Sequence, residues 1–329
     1  MNQPFRPPAT VFALGAAIAV SVVIGCGGDA RPYPNKTVTV VCPWAPGGGT
    51  DRVSRFWADS LESDFGSPFV VVNKTGGSGV VGHSAGASAR PDGYTITMIT
   101  AELNTMHELG ITKLTREDFR PIIQVNADAA AIMVRDDAPW QTLGEFLEDV
   151  RQRPGEITMS GTATGGTWDL ARVGLLRAAE LPADAIVWVP EMGAAPSLVQ
   201  LLGGHIDAVC CSVPEAAPQI AGGQLRTLAV MADERLAAYA DVPTCQEQGV
   251  DWSAVGWRGL AVPRDTPDEV VALLYETCRA IAESDAYRDF MDKNGFAITI
   301  RGPEEFAAFL EEQDAHWKPV VAASGRAQP

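Results

Sequence analysis

The chain is short of positive charge. Its 329 residues carry 25 Lys and Arg against 41 Asp and Glu, a formal net charge of −16. That balance argues against nucleic acid or an anionic membrane surface as a partner. Any anion site must therefore be made locally, from backbone amides and a few basic groups. Histidine is scarce: His83, His107, His205 and His316 are the only four, and they show no metal-ligand spacing. No C-x-x-C pair occurs, which argues against a structural zinc site. Neither G-x-S-x-G nor a G-K-S/T P-loop is present, so two short signatures of hydrolases and nucleotide sites are missing. A triad assembled in three dimensions stays open, because triads are defined by geometry rather than order. Internal repeats and low-complexity tracts are also lacking.

Long apolar runs are few. Val11 to Ile24 is of secretory-signal length and too short for a comfortable membrane span. Arg6 is the only charged side chain before Cys26. The run ends in Val23-Ile24-Gly25-Cys26, which resembles a bacterial lipobox. By that resemblance residues 1–25 are a signal peptide and Cys26 is lipidated as the mature N-terminus. Plain secretion, with cleavage near Gly25 or Ala30, is the alternative reading. Residues 26–32 then form a flexible tether. The other cysteines are Cys42, Cys210, Cys211, Cys245 and Cys278. An odd count in an exported chain leaves at least one free thiol. Cys245 and Cys278 share the C-terminal stretch and are the candidate bridge; buried free cysteines read equally well.

What is present is an ordinary globular composition, 46% hydrophobic and 20% charged, at a length that favours two domains. Strand candidates fall at 37–41, 69–72, 94–99, 130–134, 157–160, 186–189, 208–211, 227–230 and 259–262. Helix candidates include 51–64, 142–152, 167–180, 194–203, 267–283 and 303–322. The helix starts carry signals: Thr142…Glu145 is a capping box, and Thr266-Pro267-Asp268-Glu269 places a cap, a proline and acids in order. Such alternation predicts an α/β fold with largely parallel sheets. Polar breaks at 136–139 and 240–243 mark two crossovers. They divide the chain into lobe 1 (33–135 plus 241–329) and lobe 2 (136–240), and two crossovers suit hinge closure on a ligand.

Two loops stand out. Pro43-Trp44-Ala45-Pro46-Gly47-Gly48-Gly49-Thr50-Asp51 joins a strand to a helix, and Ser160-Gly161-Thr162-Ala163-Thr164-Gly165-Gly166-Thr167-Trp168-Asp169 does the same. Glycine leaves the amides uncovered, and a helix start adds unpaired donors and a positive dipole end. Such a construction binds anions, although a single glycine-rich loop is more often a tight turn. A rival signal is Gly77-Ser78-Gly79-Val80-Val81-Gly82 with Glu102 further on, a dinucleotide-type pattern. Its helix is short, closing at Arg90-Pro91-Asp92-Gly93, and export separates the chain from soluble nicotinamide cofactors. Function therefore divides between a binding protein, an exported hydrolase and a dinucleotide-binding oxidoreductase.

The order of motifs favours the binding protein. Tyr33-Pro34-Asn35-Lys36-Thr37-Val38-Thr39, Pro46-Gly47-Gly48…Asp51, Asn73-Lys74…Gly76-Gly77-Ser78-Gly79 and Pro91-Asp92-Gly93-Tyr94-Thr95 occur in sequence. Gly193-Ala194-Ala195-Pro196, Leu202-Gly203-Gly204-His205-Ile206-Asp207 and Asp241-Val242-Pro243-Thr244 follow. The set resembles the substrate-binding receptors of tripartite tricarboxylate transporters, the Bug family. Gly256-Trp257-Arg258-Gly259-Leu260 and Pro303-Glu304-Glu305-Phe306 are similar to its tricarboxylate-receptor branch. The resemblance implies a two-lobed type II periplasmic binding-protein fold, each lobe a mostly parallel sheet flanked by helices, with the cleft between. It implies a monomeric receptor that delivers a small organic carboxylate to membrane permease subunits, without cofactor, metal or catalysis. Di- and tricarboxylates, acidic amino acids and aromatic acids are all within its range.

Carried onto this chain, the ligand-binding residues are Trp44, Ala45, Gly47, Gly48, Gly49, Thr50 and Asp51 in the first loop. In the second they are Thr162, Thr164, Gly165, Gly166, Thr167 and Asp169. Thr100 at a strand end, Asp207 and Ser212 in the second lobe, and Trp257 and Arg258 complete the set. Arg258 reads either as the partner of a distal carboxylate or as half of an internal ion pair. Trp44, Trp168 and Trp257 read as pocket wall or as core. The chain departs from the family pattern at two places. Thr167-Trp168-Asp169-Leu170 stands where Ser-x-x-His-Leu is frequent, and Glu191-Met192-Gly193 where Tyr-Lys-Gly is common. Lost cations argue against a ligand as charged as citrate, and an acid in their place reads a ligand amine.

Overall fold

The computed structural model describes residues 33–327. The expected signal peptide, tether and lipidated Cys26 lie outside the described residues. The chain runs β1 (Val38–Cys42), α1 (Gly49–Phe65), β2 (Phe69–Asn73), α2 (Val80–Ala87), β3 (Thr95–Thr100), β4 (Phe119–Arg135), α3 (Leu143–Gln152), β5 (Thr158–Ser160), α4 (Thr167–Ala178) and β6 (Val187–Trp188). It continues through α5 (Ala194–Leu202), β7 (Ala208–Ser212), α6 (Ala217–Ala221), β8 (Leu225–Val230), β9 (Val255–Pro263), α7 (Asp268–Ala282), α8 (Asp285–Asn294), β10 (Ile298–Arg301) and α9 (Pro303–Ala323). Among the described residues no helix is long and apolar enough to cross a membrane.

Two sheets curl around separate cores and make two lobes. In the first, β2, β1 and β3 pair in parallel, and β9 joins β3 antiparallel. In the second, β6, β5 and β7 pair in parallel. β4 belongs to both: residues 119–129 pair with β9, and residues 130–135 with β7 and β8, all antiparallel. The sheets are therefore mixed. The expected parallel pairing holds for the β-loop-α units and fails around β4 and β9, which lie between those units and run against their neighbours.

Periodic apolar positions explain the cores. Val40, Trp57, Leu61, Ile96, Leu260 and Leu274 pack in the first lobe. Ile132, Phe146, Met159, Leu175, Val209 and Val230 pack in the second. α9 serves both, since Phe306 and Leu310 join Trp257 in a smaller cluster while Trp317, Val320 and Val321 enter the second core.

β4 begins eleven residues before the strand expected at 130–134. Two features hid it. Pro121 lacks a donor, and it sits where the register with β9 shifts, a place that tolerates proline. Gln124, Asn126 and Asp128 alternate along one face and are buried. Arg301 Nη1 donates to Gln124 Oε1 at 2.7 Å and Asn126 Nδ2 to Asp128 Oδ2 at 2.6 Å, while Asn126 Oδ1 is buried without a partner among the described residues. β10 was also absent from the expected strands; only its pairing with β4 identifies it.

Cys42, Cys210, Cys211, Cys245 and Cys278 are all free and buried. The bridge expected between Cys245 and Cys278 does not form, because the two thiols lie in the cores of different lobes. Burial pushes the Cys42 thiol up to about 11 and Cys245 up to about 12, which suppresses the reactive thiolate. Alkylation read peptide by peptide should therefore leave these five thiols unlabelled at pH 8 in the native state. All five should label after denaturation, and reductant should leave the melting temperature unchanged.

Candidate functional site

The two glycine loops adopt the same backbone. Gly47 and Gly165 take φ of +84° and +77°, a region that strains any side chain. Gly48 and Gly166 then open α1 and α4 in extended conformation, at φ −74° and −73°. Both loops read Gly-Gly-x-x-Asp. Asp51 Oδ2 accepts from the Gly47 amide at 2.9 Å, and Asp169 Oδ2 accepts from the Gly165 amide at 2.9 Å. Arg55 and Asn73 also donate to Asp51. Burial pushes the Asp51 carboxyl up, but the bonds from Arg55, Gly47 and Asn73 outweigh it and hold it below the usual carboxylate range. Asp169 is gripped by Arg172 at 2.7 Å and by Arg326 near the C-terminus. The two aspartates thus fold their loops.

A cleft of about 450 Å³, its open mouth included, lies between the lobes. Of the residues expected at the site, Trp44, Ala45, Gly48, Gly49, Thr50, Thr100, Thr162, Thr167, Trp257 and Arg258 wall it. Gly47, Asp51, Thr164, Gly165, Gly166 and Asp169 shape the loops behind the wall. Asp207 stays at the start of β5, the end away from its glycine loop, and accepts from the Thr158 amide at 2.8 Å and hydroxyl at 2.7 Å. The Ser212 amide and hydroxyl both donate to Glu215 Oε2 at 3.2 Å.

Glu102 and Glu215 were not singled out as ligand residues by the sequence, yet both wall the cleft. Each follows a strand on a short 3-10 turn and reaches across to the other lobe. Glu215 Oε1, after β7, accepts from the Gly49 amide at 3.3 Å at the start of α1. Glu102 Oε1, after β3, accepts from the Thr167 amide at 2.9 Å at the start of α4. A strand-end hydroxyl precedes each acid: Thr100 donates to Glu102 Oε2 at 2.5 Å, as Ser212 does to Glu215. That hydroxyl-then-acid pattern was the available sequence signal. The start of α5, at Gly193, Ala194 and Ala195, adds a further wall the expectations left out.

Arg258 realises the ion-pair reading while still facing the cleft. Nη1 donates to Asp128 Oδ2 at 2.7 Å, Nη2 to Glu215 Oε1 at 3.3 Å and Nε to Thr50 Oγ1 at 3.0 Å. A Cβ on Gly49 would lie 2.8 Å from both Arg258 Nη2 and Glu215 Oε1, so the cluster requires glycine there. Thr100 is held from behind: its amide donates to His83 Nε2 at 3.1 Å, so the proton sits on Nδ1, which donates to Gly79 O at 2.8 Å. His83 is therefore neutral in this arrangement, and burial holds its pKa below the ordinary value. The dinucleotide-type pattern has a packing explanation. A Cβ on Gly82 would meet Pro43 Cα at 2.6 Å, and Ser78 donates to Thr164 O at 2.6 Å.

Two outcomes follow. Arg258→Met strands Asp128 without its cation, and urea unfolding should show a loss of about 3–5 kcal/mol. His83 has a depressed folded pKa, so below the ordinary value near 6.5 the unfolded chain binds a proton that the folded chain refuses. Stability should therefore rise with pH below about 6.5, by up to about 1.4 kcal/mol per unit. His83→Gln should remove that part of the slope in pH-dependent unfolding.

Residues 53–326 match the family described as the tripartite tricarboxylate transporter family receptor. Over 319 residues the chain is 27% identical to protein BugT of Bordetella pertussis, spanning 93% of this chain and 96% of that one. Among solved structures, MatC of Rhodopseudomonas palustris with bound malate is 26% identical, with a TM-score of 0.82, over 88% of this chain and 100% of that one. A second R. palustris protein, solved with adipate, is 28% identical, with a TM-score of 0.84, over 90% and 99%. Family and neighbours are solute-binding receptors and not enzymes. With the match extending from α1 to the C-terminal tail, this chain belongs to the receptor family of the tripartite tricarboxylate transporters.

Proposed function

We propose that the protein is an extracytoplasmic receptor that binds a small organic carboxylate in the cleft and hands it to its transporter's membrane permease. The observation that carries the reading is that three helices, α1, α4 and α5, begin at one cleft wall. Helix starts offer amides and a positive dipole end to an anion. Glu215 and Glu102 take the Gly49 amide of α1 and the Thr167 amide of α4, while the start of α5 carries no acid in its first turn. The neighbours solved with malate and adipate support a carboxylate ligand. On this reading residues 1–25 direct export to the periplasm, Cys26 carries a lipid anchor, residues 26–32 are the tether, and the receptor works as a monomer.

The lobes follow the division at 33–135 plus 241–329 and 136–240, with the crossovers adjusted. We put the first between Ala129 and Ala130, supported by the change of partner along β4. We put the second just before β9, supported by Cys245, Val250 and Ala254 in the second core.

A thermal-shift screen of organic acids tests the reading. A ligand that binds only the folded state stabilises it by about 2.7 kcal/mol at a concentration of 100 times Kd. At least one carboxylate should raise the melting temperature in a concentration-dependent way; no shift across the panel would sink the proposal. Gly48→Trp should abolish the shift and leave the unliganded melting temperature close to wild type, since Gly48 has ordinary backbone angles and space around it. Gly165 is the poorer probe, because a Cβ there meets Leu109 at 2.7 Å on a left-handed backbone.

A further inference from the structure

Three wall residues of the cleft are ionisable: Glu102, Glu215 and Arg258. The single cation is already engaged by Asp128, Glu215 and Thr50. Glu102 differs from Glu215. Its side chain is buried, the residue being only 3% exposed, and among the described residues it forms no ion pair. Its two oxygens receive neutral donors alone, the Thr167 amide and the Thr100 hydroxyl. The nearby histidine, His83, is neutral and turns its Nε2 to the Thr100 amide. A buried carboxylate without a cation is costly, and this one stands in the wall of a ligand cleft. A second carboxylate on a ligand would add repulsion there. A ligand ammonium would relieve the cost. The start of α5 has no acid in its first turn, so it remains open to the ligand's own carboxylate.

We propose that the cleft takes a carboxylate that also carries a cationic amine, with Glu102 as the amine anchor, and rejects a second carboxylate. The inference rests on the carboxylate-receptor reading above and narrows its substrate class to zwitterionic amino acids.

Matched ligands test it by calorimetry on the natively processed protein. One series is butyrate, 2-aminobutyrate, 4-aminobutyrate and succinate; the other is hexanoate, 6-aminohexanoate and adipate. At least one amino acid should bind about tenfold or more tighter than the amine-free monoanion and the dianion of its series. Glu102→Gln keeps an acceptor for the Thr167 amide and removes the charge. It should weaken that amino acid by about 10- to 100-fold while the amine-free monocarboxylate binds as well as before or better. Succinate or adipate binding tighter than its amino counterparts would overturn the proposal and leave the carboxylate receptor standing. Amino-acid affinity unchanged in Glu102→Gln would overturn the role of Glu102. If no carboxylate of either series binds, the receptor reading itself fails. The wild-type comparison holds even where the variant does not fold.

Discussion

Amides at a helix start need acceptors, and in this protein two of them find one on the far side of the cleft. Glu215 of the second lobe closes on the Gly49 amide of α1, and Glu102 of the first lobe closes on the Thr167 amide of α4. A buried amide left without an acceptor costs about 1–3 kcal/mol, and a carboxylate at a helix start also gains from the dipole. The exchange therefore couples the lobes through their most polar backbone. Gly49 exists to let it happen, Arg258 balances one of its two acids, and Thr50 and Asp128 hold Arg258 in place.

β4 carries the same logic into the sheet. A strand shared by two lobes must be continuous, yet its middle lies under the cleft, where polar groups are needed. Gln124, Asn126 and Asp128 put those groups on one face while Ile123 and Val125 keep the other face in the core. Burying such a row is destabilising without partners. Arg301 partners Gln124, Arg258 and the Ala297 amide partner Asp128, and Asn126 Oδ1 is left without one among the described residues. Burial pushes the Asp128 carboxyl up, and the Arg258 guanidinium and Ala297 amide pull against it.

A receptor cleft built this way has its anion sites partly filled by the chain itself. Four loop and helix-start amides are taken by internal carboxylates: Gly47 by Asp51, Gly165 by Asp169, Gly49 by Glu215 and Thr167 by Glu102. The first two bonds shape the loops. The other two face the cleft, so they bear on the charge a ligand can carry into it. Family membership establishes what kind of protein this is, and the balance of acids and bases in the wall bears on what it selects.

Much of this was legible in the chain. The β-loop-α units, the two glycine loops and the family follow from local signals: glycine where the backbone turns left-handed, apolar spacing along α1 and α4, and motifs in a fixed order. Those signals depend on neighbours in sequence, which is why they survive without a structure. What required the tertiary fold was every choice made by distant partners. Nothing near Pro121 announces a strand, since its register comes from β9. Nothing near Cys278 shows that its core excludes Cys245. Asp207 accepts from the amide of Thr158, 49 positions before it, a pairing that only the neighbouring strands create. Glu102 and Glu215 stand 113 positions apart in the sequence, and only the closing of one lobe against the other gives each the helix it caps.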